Sequence, residues 1–177
     1  MIGLALVLAV VWVLWEDKIK EFYFKYIYMS NRPLGPILQK KMLLRKDSLG
    51  SGWFAASRSG GKRKHNGMDF VCEKGEPVIS PIDGKVTRGT QVYKDDKVYR
   101  GIVIQGSNGY EVKIFYMTMT VAPGESIQKG QVIGVCQAIS EKYSPKMKNH
   151  LHLELRIDGE LKNPAYYIDY ITKEPVA

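Results

Sequence analysis

Histidine and cysteine are scarce in this chain of 177 residues, which holds three histidines and two cysteines. The cysteines, Cys72 and Cys136, form no C-x-x-C motif, which argues against a zinc ribbon and against a dithiol redox site. They are compatible with one disulfide in an oxidising compartment or with two buried free thiols. The sequence leaves both alternatives open.

A basic stripe with interleaved aromatic residues is also missing from the part of the chain that follows residue 64, so we expect no nucleic-acid partner. The chain nevertheless has a net charge of +8. Residues 16–48 hold eight basic and four acidic residues, which is half of this excess. Such a charge predicts attraction to anionic surfaces such as a membrane.

No uncharged apolar run reaches the roughly 20 residues that cross a bilayer unaided. Residues 2–15 carry no charge, however, and aromatic residues that could form an interfacial belt follow them. We predict a retained, single-pass transmembrane anchor with an interfacial extension over residues 1–29. A cleaved signal peptide is the alternative, but the basic segment and the small-residue cleavage site that it requires are lacking.

The side of the membrane on which the chain lies is left open by two opposing arguments. The basic residues after the apolar run favour the cytoplasmic side under the positive-inside rule. An enzyme that acts on an extracellular polymer would face the other way.

Residues 30–64 are predicted to be a basic linker. Pro33, Gly35 and Pro36 break any helix, residues 37–46 are expected to form a short amphipathic basic helix, and the Ser- and Gly-rich stretches from residue 48 onward are typical of loops.

Residues 65–171 have the pattern of an all-β domain, in which short apolar runs alternate with turn residues such as Asn108-Gly109 and Asp158-Gly159. We expect a small antiparallel β-barrel or sandwich with a groove, followed by a tail over residues 172–177. The predicted strands are 68–72, 77–80, 84–92, 99–106, 109–119, 132–138, 150–157 and a short one near 161, with a short helix or turn over 164–171.

All three histidines fall in two short motifs, one with His65 and Asp69 and the other with His150 and His152. Residues two apart in a strand share a face, so His150 and His152 point the same way, and Gly67 allows a tight turn between His65 and Asp69. A single histidine of this kind is more often structural. Together, the four residues favour a metal site with three protein ligands and one open position, as in catalytic zinc centres.

These motifs resemble those of the lysostaphin-type zinc endopeptidases, which cleave peptidoglycan. The resemblance covers about residues 50–170 and runs in the family's order through four blocks: His65 to Asp69, Gly75 to Val86, Pro123 to Gly134, and His150 to Leu155 followed by Asn163-Pro164. It implies a small antiparallel β-barrel or groove and a zinc ion held by His65, Asp69 and His152. It also implies that His150 is the catalytic imidazole beside the water that zinc activates.

One position departs from this family. Active members carry another histidine in a Tyr-x-His-Leu segment, where this chain has Thr118 within Phe115 to Met119. Threonine cannot become cationic, and the loss of one oxyanion stabiliser typically lowers the rate by about 10²–10³-fold. Tyr116 or Tyr143 could compensate by hydrogen bonding.

The same departure resembles the chemotaxin-like branch of the family, whose members are not established peptidases. Further shared features of that branch are a cysteine shortly after the Asp (Cys72), the Val112 to Tyr116 segment, and the basic run from Arg58 to Lys64.

Two functions follow from these observations. The first is a membrane-anchored zinc metallopeptidase of weakened activity on peptidoglycan or Gly-containing peptides. The second is a catalytically inactive, zinc-stabilised binding or structural subunit of a membrane or virion assembly, with protein partners. A lipoyl-type carrier domain is disfavoured, because it would leave the histidines unexplained.

Overall fold

The computed structural model describes residues 33–172. The predicted anchor over residues 1–29 lies outside this range, as does all but the first residue of the predicted tail. Within residues 33–172, no helix is long and apolar enough to cross a membrane.

Antiparallel strands make up most of the regular structure, in agreement with the predicted all-β class. The strands are β1 (Lys46–Asp47), β2 (Gly50–Ser51), β3 (Ser57–Arg58), β4 (Arg63–Lys64), β5 (Met68–Val71), β6 (Pro77–Ile79), β7 (Gly84–Tyr93), β8 (Asp96–Gly106), β9 (Tyr110–Phe115), β10 (Met117–Met119), β11 (Ser126–Ile127), β12 (Val132–Cys136), β13 (His150–Ile157) and β14 (Glu160–Lys162). A single helical turn, α1 (Ser140–Tyr143), precedes β13, and a 3-10 turn (Pro164–Tyr166) follows β14.

Two sheets build the domain. The larger has seven strands in the order β11-β7-β8-β9-β13-β14, and β5 pairs with the first half of β13 on the side away from β9. The smaller has the order β10-β12-β6. Strands β1 with β2 and β3 with β4 form two short hairpins.

Alternation along the central strand β13 separates the core from the candidate site. Leu151, Leu153 and Leu155 are fully buried in the hydrophobic core, and successive side chains of a strand point to opposite faces. His150, His152 and Glu154 therefore share the other face. Both sheets contribute to the same core, which includes Val78, Val86, Ile102, Ile104, Val112, Ile114, Met117 and Ile133.

The part of the predicted linker that the structure describes is packed into this domain. Five of its apolar side chains are buried in the common core: Leu34, Ile37, Leu38, Met42 and Leu44. The helix expected over residues 37–46 is wrong, because this stretch contains bends and isolated bridges to Val78, Phe70 and Ile171 and no helical turn. The apolar residues of this stretch are buried against the edges of the strands. This packing does not require the 3.6-residue spacing of a helix.

Each predicted strand has an observed counterpart, with one break. The stretch 109–119 divides into β9 and β10 at Tyr116, whose φ of 65° lies in the left-handed region. The five two-residue strands β1 to β4 and β11 were not predicted, because they are too short to show an alternating pattern in the sequence. Cys72 and Cys136 are both free and buried.

Candidate metal centre

His152 lies at the middle of the site because of its place in the sheet. It pairs directly with Asp69 of β5 on one side and with Phe115 of β9 on the other. Directly opposed residues have Cβ atoms about 4.5–5.5 Å apart, so strand register alone brings the imidazole and the carboxylate together. The Phe115 ring stacks on the His152 ring with 5.5 Å between centroids.

His65 reaches the same point from the loop between β4 and β5. Gly67 makes this possible through close packing and not only through the expected tight turn. A Cβ atom at Gly67 would lie 2.2 Å from the carbonyl oxygen of Leu153, so only glycine lets the loop approach β13 this closely.

Three ligand-type atoms converge in the resulting cluster. His65 Nε2 lies 3.0 Å from Asp69 Oδ1, His152 Nδ1 lies 2.9 Å from the same oxygen, and the two nitrogens are 2.9 Å apart. In a tetrahedral zinc site with bonds of about 2.1 Å, the ligand atoms are about 3.4 Å apart. A small outward shift of each atom would therefore admit the ion.

The hydrogen bonds of the outer ring nitrogens assign the tautomers of both imidazoles. His65 Nδ1 lies 2.7 Å from the carbonyl oxygen of Trp53, which only accepts, so this nitrogen carries the proton. His152 Nε2 likewise donates to Glu154 Oε1 at 3.3 Å. In the neutral rings, His65 Nε2 and His152 Nδ1 then carry bare lone pairs that face each other and Asp69 Oδ1.

Three buried lone pairs that point at one another repel unless a cation lies between them. The convergence of these three lone pairs fits a bound metal ion. In the metal-free protein, a proton takes the place of the metal ion. Burial by itself lowers the pKa of His152, but its hydrogen bonds to Asp69 and Glu154 outweigh burial and raise the pKa to about 8.

The second oxygen of Asp69 is held by two arginines. Arg45 Nη1 and Arg58 Nη2 each lie 3.3 Å from Asp69 Oδ2. Arg45 is itself buried and also pairs with Asp47 at 2.8 Å. Burial raises the pKa of Asp69, but the proton that His152 shares with it in the metal-free protein and the neighbouring imidazoles outweigh burial and hold the pKa far below the usual range.

Glu154 and Lys113 support His152 from behind. Glu154 Oε2 lies 3.0 Å from Lys113 Nζ, on the neighbouring strand β9. Burial raises the pKa of Glu154, yet its hydrogen bonds with His152 and Lys113 outweigh burial and lower the pKa to about 2. The carboxylate therefore stays ionised and keeps the Nε2 proton of His152 in place.

His150 stands beside this cluster rather than in it. Its Nδ1 lies 2.8 Å from the carbonyl oxygen of Lys148, so Nδ1 is the donor and Nε2 is bare. His150 Nε2 lies 3.9 Å from Asp69 Oδ2. Burial is the main cause that lowers the pKa of His150, so the ring is neutral at pH 7 and can accept a proton.

Three tyrosine hydroxyls form a chain next to His150. The Tyr143 hydroxyl donates to that of Tyr93 at 2.9 Å, and the hydroxyls of Tyr93 and Tyr116 are 3.2 Å apart. The Tyr116 ring packs edge-on against His150 with 5.2 Å between centroids. Burial raises the pKa of Tyr116 to about 12, so its hydroxyl remains a proton donor in hydrogen bonds.

Thr118 is apart from these groups. It is exposed on β10, and its hydroxyl accepts a hydrogen bond from Gln137 Nε2 at 3.2 Å. Among the residues that the structure describes, the groove of about 510 Å³ over the cluster is lined by His65, Asp69, His150 and His152, by Tyr93, Tyr116 and Tyr143, and by Arg45, Arg58, Arg63 and Lys64, but not by Thr118.

Sequence reasoning missed the residues that support the cluster. Arg45 and Arg58 precede Asp69 by 24 and 11 positions, and no local pattern links them to it. Glu154 was detectable, since it shares the strand face of His152 by the period of two. Lys113 follows only once the β9–β13 register is known.

Comparison with known proteins supports the predicted resemblance. The sequence profile of peptidase family M23 matches residues 63–164. Leukocyte cell-derived chemotaxin-2 of Bos taurus is 30% identical over 123 residues, which are 69% of this chain and 76% of that protein. The peptidoglycan DD-endopeptidase ShyA of Vibrio cholerae is 32% identical over 102 residues, 56% of this chain and 22% of ShyA.

A solved structure shows the same relationship. A zinc-containing peptidase from Vibrio cholerae superimposes with a TM-score of 0.51 at 26% identity. The superposition covers 72% of this chain and 38% of that peptidase. The bacterial peptidase is therefore much longer than the part that it shares with this chain.

Proposed function

The chain belongs to peptidase family M23, and from that premise we propose that it is a zinc-dependent peptidase of weakened activity on peptidoglycan or Gly-containing peptides. The observation that carries this proposal is the convergence of the lone pairs of His65 Nε2, Asp69 Oδ1 and His152 Nδ1 at one buried point. Those three residues would hold the zinc ion. A zinc ion so placed would polarise a peptide carbonyl and lower the pKa of water.

His150 is the general base in this proposal. Its Nε2 is bare because Nδ1 donates to the carbonyl oxygen of Lys148, and its lowered pKa keeps it neutral near pH 7. It lines the same groove as the metal cluster. It can therefore take a proton from attacking water and return it to the leaving amine.

In this proposal, the tyrosine hydroxyls replace the second catalytic histidine of the family in part, as hydrogen-bond donors to the oxyanion. Tyr116 lines the groove beside His150, and its hydroxyl bonds to that of Tyr93, which also accepts from Tyr143. A neutral phenol can donate to a developing oxyanion but cannot shuttle a proton near neutral pH. This supports a rate below that of members with histidine at the position of Thr118.

The test is hydrolysis by the zinc-loaded protein of two substrates, purified muropeptides and an oligoglycine peptide. We expect slow cleavage that stops on chelation, returns with zinc and is absent in His150→Ala. The control variant Tyr110→Phe, in which the ring still packs on Tyr167 against the edge of the core, should leave the rate unchanged. Zinc binding without any cleavage would overturn the peptidase proposal.

That outcome would select the second candidate, a zinc-stabilised binding or structural subunit of a membrane or virion assembly. Thr118 at the expected histidine position favours it, as does the similarity to chemotaxin-2. In this case, the same groove would hold a protein partner without cleaving it.

We extend the proposal to location. Residues 2 to about 22 would act as a single-pass membrane anchor, supported by the uncharged run over residues 2–15 and the aromatic residues that follow. We expect the full-length chain to sediment with membranes and to need detergent for release. A mature chain that begins after residue 15 and is soluble without detergent would contradict the anchor.

A further inference from the structure

The hairpin of β3 and β4 brings an unusual concentration of positive charge to the groove. Residues 57–64 contain Arg58, Lys62, Arg63 and Lys64 and no acidic residue. Three of these four cations, all except Lys62, line the groove together with Arg45. The acidic side chains of the groove are Asp69 and Glu154, and both are already engaged in the ion pairs described above.

The pairing within the hairpin is unfavourable for stability. Arg58 lies directly opposite Arg63 in the antiparallel register, and like charges directly opposed across strands are destabilising. Arg58 is partly relieved by Asp69 and by the carbonyl oxygen of Ser51 at 2.7 Å. Within the described part of the chain, the Arg63 side chain hydrogen-bonds only to the neutral hydroxyl of Ser59, at 3.2 and 3.4 Å.

Arg63 and Lys64 are therefore unpaired cations at the mouth of the site. Both are exposed, and neither forms an ion pair with any side chain in residues 33–172. Lys64 immediately precedes His65, and both residues line the groove that contains the metal cluster. A guanidinium and an ammonium in this position suit a carboxylate, since charge-assisted hydrogen bonds to carboxylates are among the stronger polar contacts.

We propose that Arg63 and Lys64 form a subsite for a free carboxylate of the bound peptide, close to the bond that faces the metal cluster. The inference rests on the proposed function and names its substrate class: peptides that carry a carboxylate near the scissile bond, as opposed to neutral oligoglycine.

The test measures binding, so that it does not depend on turnover. The protein is zinc-loaded His150→Ala, and the probes are a fluorescent peptidoglycan stem pentapeptide with free carboxylates and the same peptide with every carboxylate amidated. We expect amidation to weaken binding by about 10-fold or more. Adding Arg63→Gln and Lys64→Gln should weaken binding of the acidic peptide by about 10-fold and leave the amidated peptide within about 2-fold.

Lys62→Gln is the matched control, because Lys62 is on the same hairpin and exposed but does not line the groove. It should change neither affinity by more than about 2-fold. All variants should keep their zinc and none should melt below the parent protein, since the side chains are exposed and Arg63→Gln removes the repulsion with Arg58. Equal binding of both peptides would overturn the carboxylate subsite alone, as would a loss with Lys62→Gln as large as that with the double substitution. Binding of neither peptide by the zinc-loaded protein would overturn the subsite and the peptidoglycan part of the proposed function along with it.

Discussion

Asp69 and His152 face each other across β5 and β13, with Asp69 Oδ1 and His152 Nδ1 2.9 Å apart. This single cross-strand pair connects the fold to the chemistry. The register that buries Leu151 and Leu153 in the core also presents His152 to the carboxylate on the opposite face. A shift of one residue would exchange the two sets of side chains, so the core and the site specify the same pairing.

A substitution of Glu154 tests whether this carboxylate orients His152 for zinc binding. We expect Glu154→Gln to weaken zinc binding by about 10-fold or more, because it removes the carboxylate that orients the His152 ring through Nε2 and leaves Lys113 without its partner. Competition with a chromogenic chelator would measure this. Glu111→Gln is the matched control, since Glu111 is on neighbouring strand β9 and only approaches Arg156 at 4.0 Å. Equal affinity of Glu154→Gln and wild type would exclude the supporting role.

The metal-free protein should lose stability as the pH rises past neutrality. The pKa of His152 is raised from its ordinary value of 6.5 to about 8 in the folded protein. Protonation therefore stabilises the fold below pH 6.5, by about 2 kcal/mol, and this contribution is lost as the pH passes through about 8. The melting temperature in chelator should fall between pH 6.5 and 8.5.

Zinc reverses this trend, because the ion must displace the same proton and so binds more tightly at higher pH. His152→Ala should remove the pH dependence of the metal-free protein in this range. A melting temperature that rises from pH 6.5 to 8.5 in chelator would show that the proton is not held at this cluster.

A substitution of Gly67 tests whether the loop that carries His65 must approach β13 closely. In Gly67→Ala, the new methyl group would meet the carbonyl oxygen of Leu153 at 2.2 Å, so we expect a loss of about 3 kcal/mol or more. Urea unfolding would measure it. Gly35→Ala is the control, because the new methyl group there meets only the flexible end of the Lys129 side chain. Similar stabilities of the two variants would contradict the close approach.

Substitutions of Thr118 test whether the missing histidine lowers the rate of peptide hydrolysis. Thr118 does not line the groove, but the resemblance implies that a histidine at this position stabilises the oxyanion, so we expect Thr118→His to raise peptide hydrolysis by about 10-fold or more. The side chain is exposed, so the fold should tolerate the change, but the new ring must displace the hydrogen bond from Gln137. Thr118→Val is the control and should not raise the rate. Wild-type turnover of about 1 s⁻¹ or faster would contradict a weakened site.

The elements that sequence predicts best are those with local patterns. Alternation marks β13 and places His150 and His152 on one face, and turn residues separate the other long strands. The packing of residues 33–45 was not predictable, because Leu34, Ile37 and Leu44 find their partners on strands that are distant along the chain. The same holds for Arg45, whose contact with Asp69 depends on that packing.

The direct measurement of the proposed metal centre is calorimetric titration of zinc into the chelator-stripped protein. We expect one zinc per chain for wild type and for His150→Ala, since His150 Nε2 comes no closer than 3.9 Å to Asp69. Asp69→Asn and His152→Ala should weaken binding by about 100-fold or more, since each removes a ligand. Binding by His152→Ala with wild-type stoichiometry and affinity would show that the convergent cluster is not the zinc site.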